Sequence, residues 1–317
     1  MSGLLPLLVI VGPTATGKTA VAVEVAKRLN GEIVSADSML IYRQMDIGTA
    51  KPTAKEQQGI PHYMIDIIDP DEPYSVALYQ EQAEKHIREI AGRGRLPMLA
   101  GGTGLYVRSV IDRYNFPRPG FDAELRRKLQ EEAAASGREA VYRRLVEVDP
   151  ETARKIHPHN LKRVIRALEV YYLTGVPVSR RQEQKAGPKY NLAMFGLIME
   201  RALLYRRIEE RVDKMLAAGL VEEVRRLLNS GYGPELVSMQ GLGYKEVAQY
   251  LTGQTTLEEA IYLLKRNTRR FAKRQLTWFG RDPRVKWIDV TQLSDPKDVA
   301  REIVRLAAGV FEDTSKT

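Results

Sequence analysis

The chain contains no cysteine, which excludes disulfides and any zinc or iron–sulfur centre with thiolate ligands. Only four histidines occur among 317 residues, and this argues against a histidine-based metal site. No apolar run approaches the roughly 18 residues that a membrane-spanning helix needs. The N-terminal residues also lack the basic and apolar segments of a secretory signal. We therefore expect a cytoplasmic protein with no membrane partner.

Acidic residues are the minority charge, with 40 Asp and Glu against 49 Lys and Arg. The resulting net charge of +9 suggests a polyanionic partner, but many soluble proteins are basic, so clustering is more informative. Residues 260–281 contain no acid, and their apolar residues recur at helical spacing. This pattern predicts an amphipathic helix with a basic polar face that binds RNA phosphates, with an anionic membrane as the alternative. Its cations are Lys265, Arg266, Arg269, Arg270, Lys273, Arg274 and Arg281.

Residues 12–19, GPTATGKT, match the phosphate-binding loop G-x-x-x-x-G-K-[ST]. An apolar segment precedes them and a helical pattern follows, which is the strand–loop–helix context that the motif requires. Backbone N–H groups and the helix dipole would surround phosphate oxygens, while Lys18 adds a charge and Thr19 is placed to ligate Mg²⁺. The expected diphosphate-binding residues are Gly12, Pro13, Thr14, Ala15, Thr16, Gly17, Lys18 and Thr19.

The alternation of apolar and amphipathic segments predicts an α/β fold, with a mostly parallel sheet flanked by helices as in P-loop NTPases. The expected strands lie near residues 5–11, 32–36, 62–68, 96–100, 192–199 and 285–289. Between residues 122 and 175 the pattern is helical with no evident strand. We therefore predict a core of residues 1–112 and 191–317, interrupted by an all-helical insertion domain at residues 113–190.

Asp37 directly follows the second predicted strand. Since ligands of parallel sheets bind at the carboxyl ends of the strands, Asp37 and the Gly101-Gly102 turn should lie beside the phosphate loop. Three roles are open to this carboxylate: it could hold a metal through water, accept a proton, or cap the following segment. Its position alone does not choose among them.

The segment SADSMLIYRQMDIGTAKP at residues 35–52 resembles the tRNA dimethylallyltransferases, also called tRNA isopentenyltransferases. The resemblance continues in order over nearly the whole chain. Its further blocks are GGTGLY at 101–106, NLKRVIRALEV at 160–170, RIEERVDKML at 207–216, GLVEEV at 219–224, GLGYKE at 241–246 and TRRFAKRQLTWF at 268–279. Because the chain has no cysteine for the zinc module of some eukaryotic relatives, it is most similar to the shorter, bacterial-type members.

The resemblance implies transfer of a dimethylallyl group from dimethylallyl diphosphate to the exocyclic amine of the adenosine just 3′ of the anticodon. The partners would be this donor and the anticodon stem-loop of tRNA, the cofactor would be Mg²⁺ on Thr19, and the protein would act as a monomer. Asp37 would be the general base. Lys18, Thr19 and one of two arginines would stabilise the leaving diphosphate, with Arg207 ranked slightly ahead of Arg211 and surface ion pairing as the alternative for both.

The target adenosine would be flipped out of its stack to reach the donor. Tyr244 would offer a stacking face on the RNA side, or simply belong to a turn at the start of a helix. For Thr103 and Arg126 the alternatives are a local turn contact and a solvated surface. The expected tRNA-binding residues are Asp37, Ser38, Met39, Leu40, Thr103, Arg126, Asn160, Leu161, Lys162, Arg163, Val164, Gln240, Gly241, Leu242, Gly243, Tyr244, Lys245, Lys273, Arg274, Gln275 and Trp278.

Three other functions are compatible with parts of the sequence. A small-molecule kinase would use the phosphate loop for ATP, but it leaves the basic helix and the Asp37 segment without a role. A prenyltransferase for free adenine nucleotides would be insensitive to competing tRNA. An RNA-binding module without catalysis would tolerate Asp37→Asn and Lys18→Ala.

Overall fold

The computed structural model describes residues 4–112, 122–181, 187–293 and 295–311. The chain divides into two compact units, one formed by Met1–Ile111 with Pro188–Thr317 and the other by Asp112–Gly187. All strands of the described residues belong to the first unit. No helix of the described ranges combines the length and the apolar character needed to cross a membrane.

The first unit is built on one parallel sheet, which confirms the predicted fold class. The strands are β1 Pro6–Val11, β2 Gly31–Ser35, β3 His62–Tyr63, β4 Leu96–Gly101, β5 Asn191–Ile198 and β6 Lys286–Asp289. Their spatial order is β3-β2-β4-β1-β5-β6, so β1 lies inside the sheet between β4 and β5. The segments that follow β1, β2 and β4 therefore meet at one edge of the sheet.

Helices cover the sheet and build the second unit. In chain order they are α1 Lys18–Leu29, α2 Ala54–Gln57, α3 Val76–Gly92, α4 Gly104–Ile111, α5 Ala123–Ser136, α6 Arg138–Val148, α7 Pro150–Lys155, α8 Leu161–Thr174, α9 Val178–Arg181, α10 Arg201–Ala217, α11 Leu220–Asn229, α12 Tyr244–Leu251, α13 Leu257–Phe279 and α14 Pro296–Phe311. A short 3₁₀ helix spans Ser238–Gln240. Residues 122–181 of the second unit contain helices and no strand.

Side chains from both faces of the sheet are fully buried, as expected for a parallel sheet with helices on each side. On β1, Leu8 and Ile10 pack in one cluster with residues of α1 and α14. Leu7 and Val9 pack in the opposite cluster with residues of α3 and α4. This alternation explains why the sequence of β1 is a continuous apolar run.

The third strand is much shorter than the predicted segment 62–68, because the backbone turns immediately after His62–Tyr63. Met64 and Asp66 have φ angles of 64° and 54°, in the left-handed region that interrupts a strand. The chain rejoins the sheet direction only at Ile68, which forms an isolated bridge with Tyr42. The apolar pattern of residues 62–68 contained no glycine or proline to reveal this break.

The four helices α5 to α8 of the second unit surround a separate apolar core. Leu129 on α5, Leu145 on α6 and Leu168 on α8 are among its buried members. Glu169, also fully buried, pairs with the guanidinium groups of Arg126 and Arg166. A buried carboxylate requires such partners, so this ion-pair group links α5 to α8.

Glu223 on α11 holds the segment that follows β2. Its side chain is 1% exposed, and its two carboxylate oxygens accept the backbone N–H groups of Asp46, Ile47 and Gly48 at 2.9–3.1 Å. The hydroxyl of Tyr244 donates to the same carboxylate at 2.6 Å. Residues from three of the sequence blocks, 35–52, 219–224 and 241–246, therefore meet at one buried charge, which holds the loop that follows Asp37.

We expect Glu223→Gln to lower the free energy of unfolding by about 2–4 kcal/mol, because an amide NH₂ would face buried N–H donors that need an acceptor. Urea denaturation measures the change. The matched control is Glu222→Gln, one residue earlier on α11, where the side chain is exposed and pairs with Arg225 at 3.4 Å. That variant should change stability by less than about 0.5 kcal/mol. Equal effects of the two substitutions would contradict the proposed role of Glu223.

Candidate active site

The phosphate loop lies between the end of β1 and the start of α1. Steric reasons explain why both of its glycines, Gly12 and Gly17, have no side chain. Gly12 has a φ of 142°, and a Cβ on it would lie 2.6 Å from the carbonyl oxygen of Leu197 on β5. Gly17 has a φ of 86° and is the N-cap residue of α1. Residues with a Cβ rarely adopt such conformations, so the glycines allow the loop to turn above the helix N-terminus.

Lys18 folds back inside the loop. Its Nζ donates a hydrogen bond to the carbonyl oxygen of Pro13 at 2.7 Å, and the Thr16 hydroxyl donates to the same oxygen at 2.8 Å. Burial lowers the pKa of Lys18 to about 7, with the charge of Arg211 as a second cause and Asp37 acting in the opposite direction. An anion beside Nζ would favour the charged form, so this lysine is suited to a phosphate ligand.

Arg211, rather than Arg207, approaches the phosphate loop. Its guanidinium donates to the Thr14 hydroxyl at 3.5 Å, and burial lowers its pKa while Asp37 raises it. In the part of the chain that the structure describes, no hydrogen bond or ion pair joins Arg207 to the loop. This geometry favours Arg211 over Arg207, the reverse of the order expected from the sequence, and contact of either residue with the diphosphate stays a prediction. The neighbouring acids do not neutralise Arg211, because Glu209 pairs with Arg269 and Glu210 with Arg206.

Asp37 follows β2 and lies close enough to Lys18 and Arg211 to influence the pKa of both. Its Oδ1 accepts the backbone N–H of Met39 at 2.9 Å, and its own N–H donates to the Ser35 hydroxyl at 3.3 Å. The capping role expected as one alternative is therefore present. Among the described residues, no hydrogen bond involves Oδ2, so this oxygen is available as a hydrogen-bond acceptor.

The turn after β4 packs tightly, and its glycines explain the GGTG motif. A Cβ on Gly101 would lie 2.3 Å from the carbonyl oxygen of Ala36. On Gly102 it would lie 2.2 Å from Nε2 of Gln275, and on Gly104 it would lie 2.2 Å from the indole of Trp278. The turn thus lies against both the Asp37 segment and α13.

Thr103, in the middle of this turn, makes the local contacts that were the alternative to substrate binding. Its backbone N–H donates to the Ala36 carbonyl at 3.0 Å, and its hydroxyl accepts the N–H of Ser38 at 3.0 Å. Both partners flank Asp37. Contact between Thr103 and a substrate nucleoside stays a prediction.

A positively charged cavity of about 550 Å³ lies between α4 and α13. It is lined by Arg108, Arg270, Lys273, Arg274, Thr277, Trp278 and Arg281. Sequence reasoning had missed Arg108, because it is a single cation on a short helix and only the fold brings it near α13. The lining contains five cations and no acid, which favours a polyanionic ligand, and the exposed Trp278 offers an aromatic surface.

The basic helix is only partly available to RNA, which corrects the expectation of an entirely basic polar face. Lys265 pairs with Asp213 at 2.6 Å, and Arg269 pairs with Glu209 at 2.5 Å. Both acids belong to α10, so Lys265 and Arg269 form ion pairs within the protein. The members of this cation series that line the cavity are Arg270, Lys273 and Arg274 in the second half of α13, and Arg281 just beyond its end.

Three expected tRNA-binding side chains are buried. Tyr244 is 0% exposed, so the predicted stacking face is wrong: the ring packs against Gly48. Val164 belongs to the apolar core of the second unit. The side-chain amide of Gln275 forms hydrogen bonds inside the protein, with the backbone of Thr14 and of Gly102. Arg126 is bonded through two guanidinium nitrogens to Glu169, each at 2.8 Å. The exposed members of the expected set are Asn160, Lys162, Arg163, Gln240, Lys245, Lys273, Arg274 and Trp278.

The loop could hold the expected Mg²⁺ through one protein oxygen, with phosphate oxygens as further ligands. Thr19 is exposed at the first turn of α1 and offers a hydroxyl oxygen. Within the described ranges, no three acidic or histidine side chains cluster as a metal site. Mg²⁺ commonly keeps several waters and takes one or two protein oxygens together with substrate phosphates, so such a cluster is unnecessary.

Comparison with known proteins identifies the family. The IPP transferase family model matches residues 40–282, and the isopentenyl transferase model matches residues 5–68. The tRNA dimethylallyltransferase of Desulforudis audaxviator is 59% identical over 94% of this chain and 96% of its own length. The chain belongs to the tRNA dimethylallyltransferase family. The family's member from Pelotomaculum thermopropionicum is 57% identical over 96% of this chain and 98% of its own length.

Solved structures of the same family share the fold. The tRNA isopentenylpyrophosphate transferase from Bacillus halodurans is 49% identical, with a TM-score of 0.75 over 98% of each chain. A eukaryotic dimethylallyltransferase described as acting on tRNA is 29% identical, with a TM-score of 0.81 over 97% of this chain and 80% of that one. These similarities confirm the resemblance that the sequence blocks indicated.

We expect Arg211→Gln to weaken binding of magnesium pyrophosphate by about tenfold or more, because it removes a charged donor beside the phosphate loop. Isothermal titration calorimetry measures the affinity. Arg207→Gln, one turn earlier on α10, is the matched control and should change the affinity by less than about threefold. A larger effect at Arg207 than at Arg211 would restore the original ranking.

Proposed function

We propose that this protein transfers a dimethylallyl group from dimethylallyl diphosphate to the N6 amine of the adenosine 3′-adjacent to the anticodon in tRNA. The observation that carries the proposal is that Lys18 and Arg211 both contact the phosphate loop and that the charge of Asp37 acts on both of them. A proton acceptor and two cations at one sheet edge suit a reaction that releases diphosphate while an amine loses a proton. The family of its relatives points to the same reaction.

The leaving group is the first chemical requirement. The allylic C–O bond breaks as the N6–C bond forms, and the bonding electrons pass to the diphosphate oxygen. The loop N–H groups, the N-terminus of α1, Lys18 and Arg211 would stabilise this developing charge. Thr19 would hold Mg²⁺, whose chemistry there would be Lewis-acid stabilisation of the same charge.

The acceptor is the second requirement. The lone pair of the adenine amine is delocalised into the ring, so the amine is a weak nucleophile. Asp37 would accept its proton through Oδ2 as the new bond forms, while Oδ1 stays bonded to the N–H of Met39. That backbone bond holds the carboxylate in one orientation, which a base acting on a single proton needs.

RNA recognition would use the cavity between α4 and α13. Its cations would contact phosphates, and Trp278 would stack on an unpaired base. The cavity lies next to the 101–104 turn, since Trp278 contacts Gly104. We therefore expect a flipped adenosine to pass from the cavity along the 101–104 turn to Asp37. All of these groups belong to one chain, so a monomer suffices.

The deciding experiment is single-turnover transfer of radiolabelled dimethylallyl diphosphate into unmodified tRNA. Wild type should label the tRNA, and Asp37→Asn should react about 10²–10⁴ times more slowly, because the amide keeps the bond to Met39 but is not a base. Binding of tRNA and of magnesium pyrophosphate should be unchanged. Asp71→Asn, on an exposed turn, is the control.

Each alternative outcome has a distinct signature. Similar rates for wild type and Asp37→Asn would leave the transferase and remove Asp37 as its base. Labelling of free adenosine monophosphate that tRNA does not inhibit would indicate a nucleotide prenyltransferase. No label, with consumption of ATP, would indicate the kinase.

We further expect Arg274→Gln to weaken tRNA binding and to reduce the slope of log affinity against log salt by about one unit or slightly less, because a phosphate contact is lost. Filter binding across a salt series measures both quantities. Arg305→Gln on α14 removes the same charge from a side chain paired with Glu302 at 2.7 Å and should leave the slope unchanged. Identical slopes for all three proteins would exclude Arg274 from the RNA interface.

A further inference from the structure

Gln275 is an uncharged, buried residue within the basic half of α13. It is 5% exposed, although its neighbours Lys273 and Arg274 are exposed. Its Oε1 accepts the backbone N–H of Thr14 at 2.9 Å, and its Nε2 donates to the carbonyl oxygen of Gly102 at 3.0 Å. One amide therefore bridges the phosphate loop and the turn after β4.

The two ends of this bridge belong to the two halves of the proposed reaction. Thr14 lies in the loop that would hold the diphosphate, and its hydroxyl is the group that Arg211 approaches. Gly102 precedes Thr103, whose hydroxyl and N–H hold the backbone on both sides of Asp37. The position of the Gln275 amide thus influences the separation between leaving group and base.

The bridge has strict chemical requirements. It needs an acceptor for Thr14 and a donor for Gly102, and a side-chain amide supplies both, whereas a carboxylate supplies only the acceptor. It also needs a glycine at 102, because a Cβ there would lie 2.2 Å from Nε2. Packing of α13 does not depend on the bridge, since Leu264, Ala272 and Phe279 anchor the same helix in apolar clusters.

We propose that Gln275 is a positioning residue that sets the phosphate loop against the 101–104 turn, and so fixes the donor diphosphate relative to Asp37. This role replaces the tRNA contact that the sequence suggested for Gln275, and its catalytic consequence rests on the proposed function. Because the bridge starts from α13, the helix that carries the RNA-facing cations also holds the donor loop.

The test compares Gln275→Met, which keeps the length of the side chain but removes both hydrogen bonds, with the exposed control Gln254→Met. We expect Gln275→Met to weaken magnesium pyrophosphate binding about fivefold, the effect of a lost hydrogen bond, and to lower kcat of prenyl transfer tenfold or more through misplacement. Affinity for tRNA and its salt dependence should match wild type. Gln254→Met should change none of these quantities.

Gly102→Ala tests the same bridge from its other end and covers the case in which Gln275→Met fails to fold. Its Cβ should displace the amide and reproduce the fivefold loss of pyrophosphate affinity. The double variant should be no worse than the more damaging single variant, because both act on one interaction. Additive losses would overturn the proposal.

Two other results would also overturn it. Unchanged pyrophosphate affinity and kcat in Gln275→Met, with only a lower melting temperature, would make Gln275 a packing residue. Loss of tRNA affinity with normal pyrophosphate affinity would return it to the RNA interface. Pyrophosphate binding needs no transfer reaction, so a wild type that transfers nothing would defeat the proposed function while the affinity comparison still tests the bridge.

Discussion

Close backbone approach at the end of β4 is the constraint on which the candidate site depends. Gly101 lies against Ala36, Gly102 against the Gln275 amide and Gly104 against the Trp278 indole, each at a distance that admits no Cβ. The turn can therefore contact the Asp37 segment on one side and α13 on the other. A side chain at Gly101 would meet the backbone of Ala36, and one at Gly102 or Gly104 would displace the side chain of Gln275 or Trp278.

The sequence was sufficient for features with a local cause. The parallel sheet, the phosphate loop and the order of the family blocks follow from apolar runs, glycine spacing and residue identity, and the structure and the comparisons confirm the fold and the family. The length of β3 was not predictable, because Met64 and Asp66 adopt left-handed backbone conformations that their residue types do not announce.

Features that depend on contacts between distant parts of the chain could not be predicted from the sequence. Helical periodicity placed Arg207 and Arg211 on one face, but only the packing of α10 decides which of them contacts Thr14. The same helix neutralises Lys265 and Arg269, so a run of seven cations overstated the surface open to RNA. The sequence suggested an exposed ring for Tyr244, whereas the structure buries it and its hydroxyl donates to the buried Glu223 carboxylate. In each case the deciding contact is with a residue far away in the sequence, which the sequence alone does not reveal.

The carboxylates of Glu223, Glu169 and Asp37 differ in how many of their oxygens accept hydrogen bonds. The carboxylates of Glu223 and Glu169 have partners for both oxygens and act as fixed anchors for backbone or arginine. Asp37 differs, because only one of its oxygens has a hydrogen-bond donor among the described residues. A carboxylate whose two oxygens both accept hydrogen bonds is fixed by them, whereas a carboxylate with one bonded oxygen is oriented by that bond and keeps the other oxygen as an acceptor. The number of donors that each carboxylate receives therefore separates the structural acids Glu223 and Glu169 from Asp37, the proposed base.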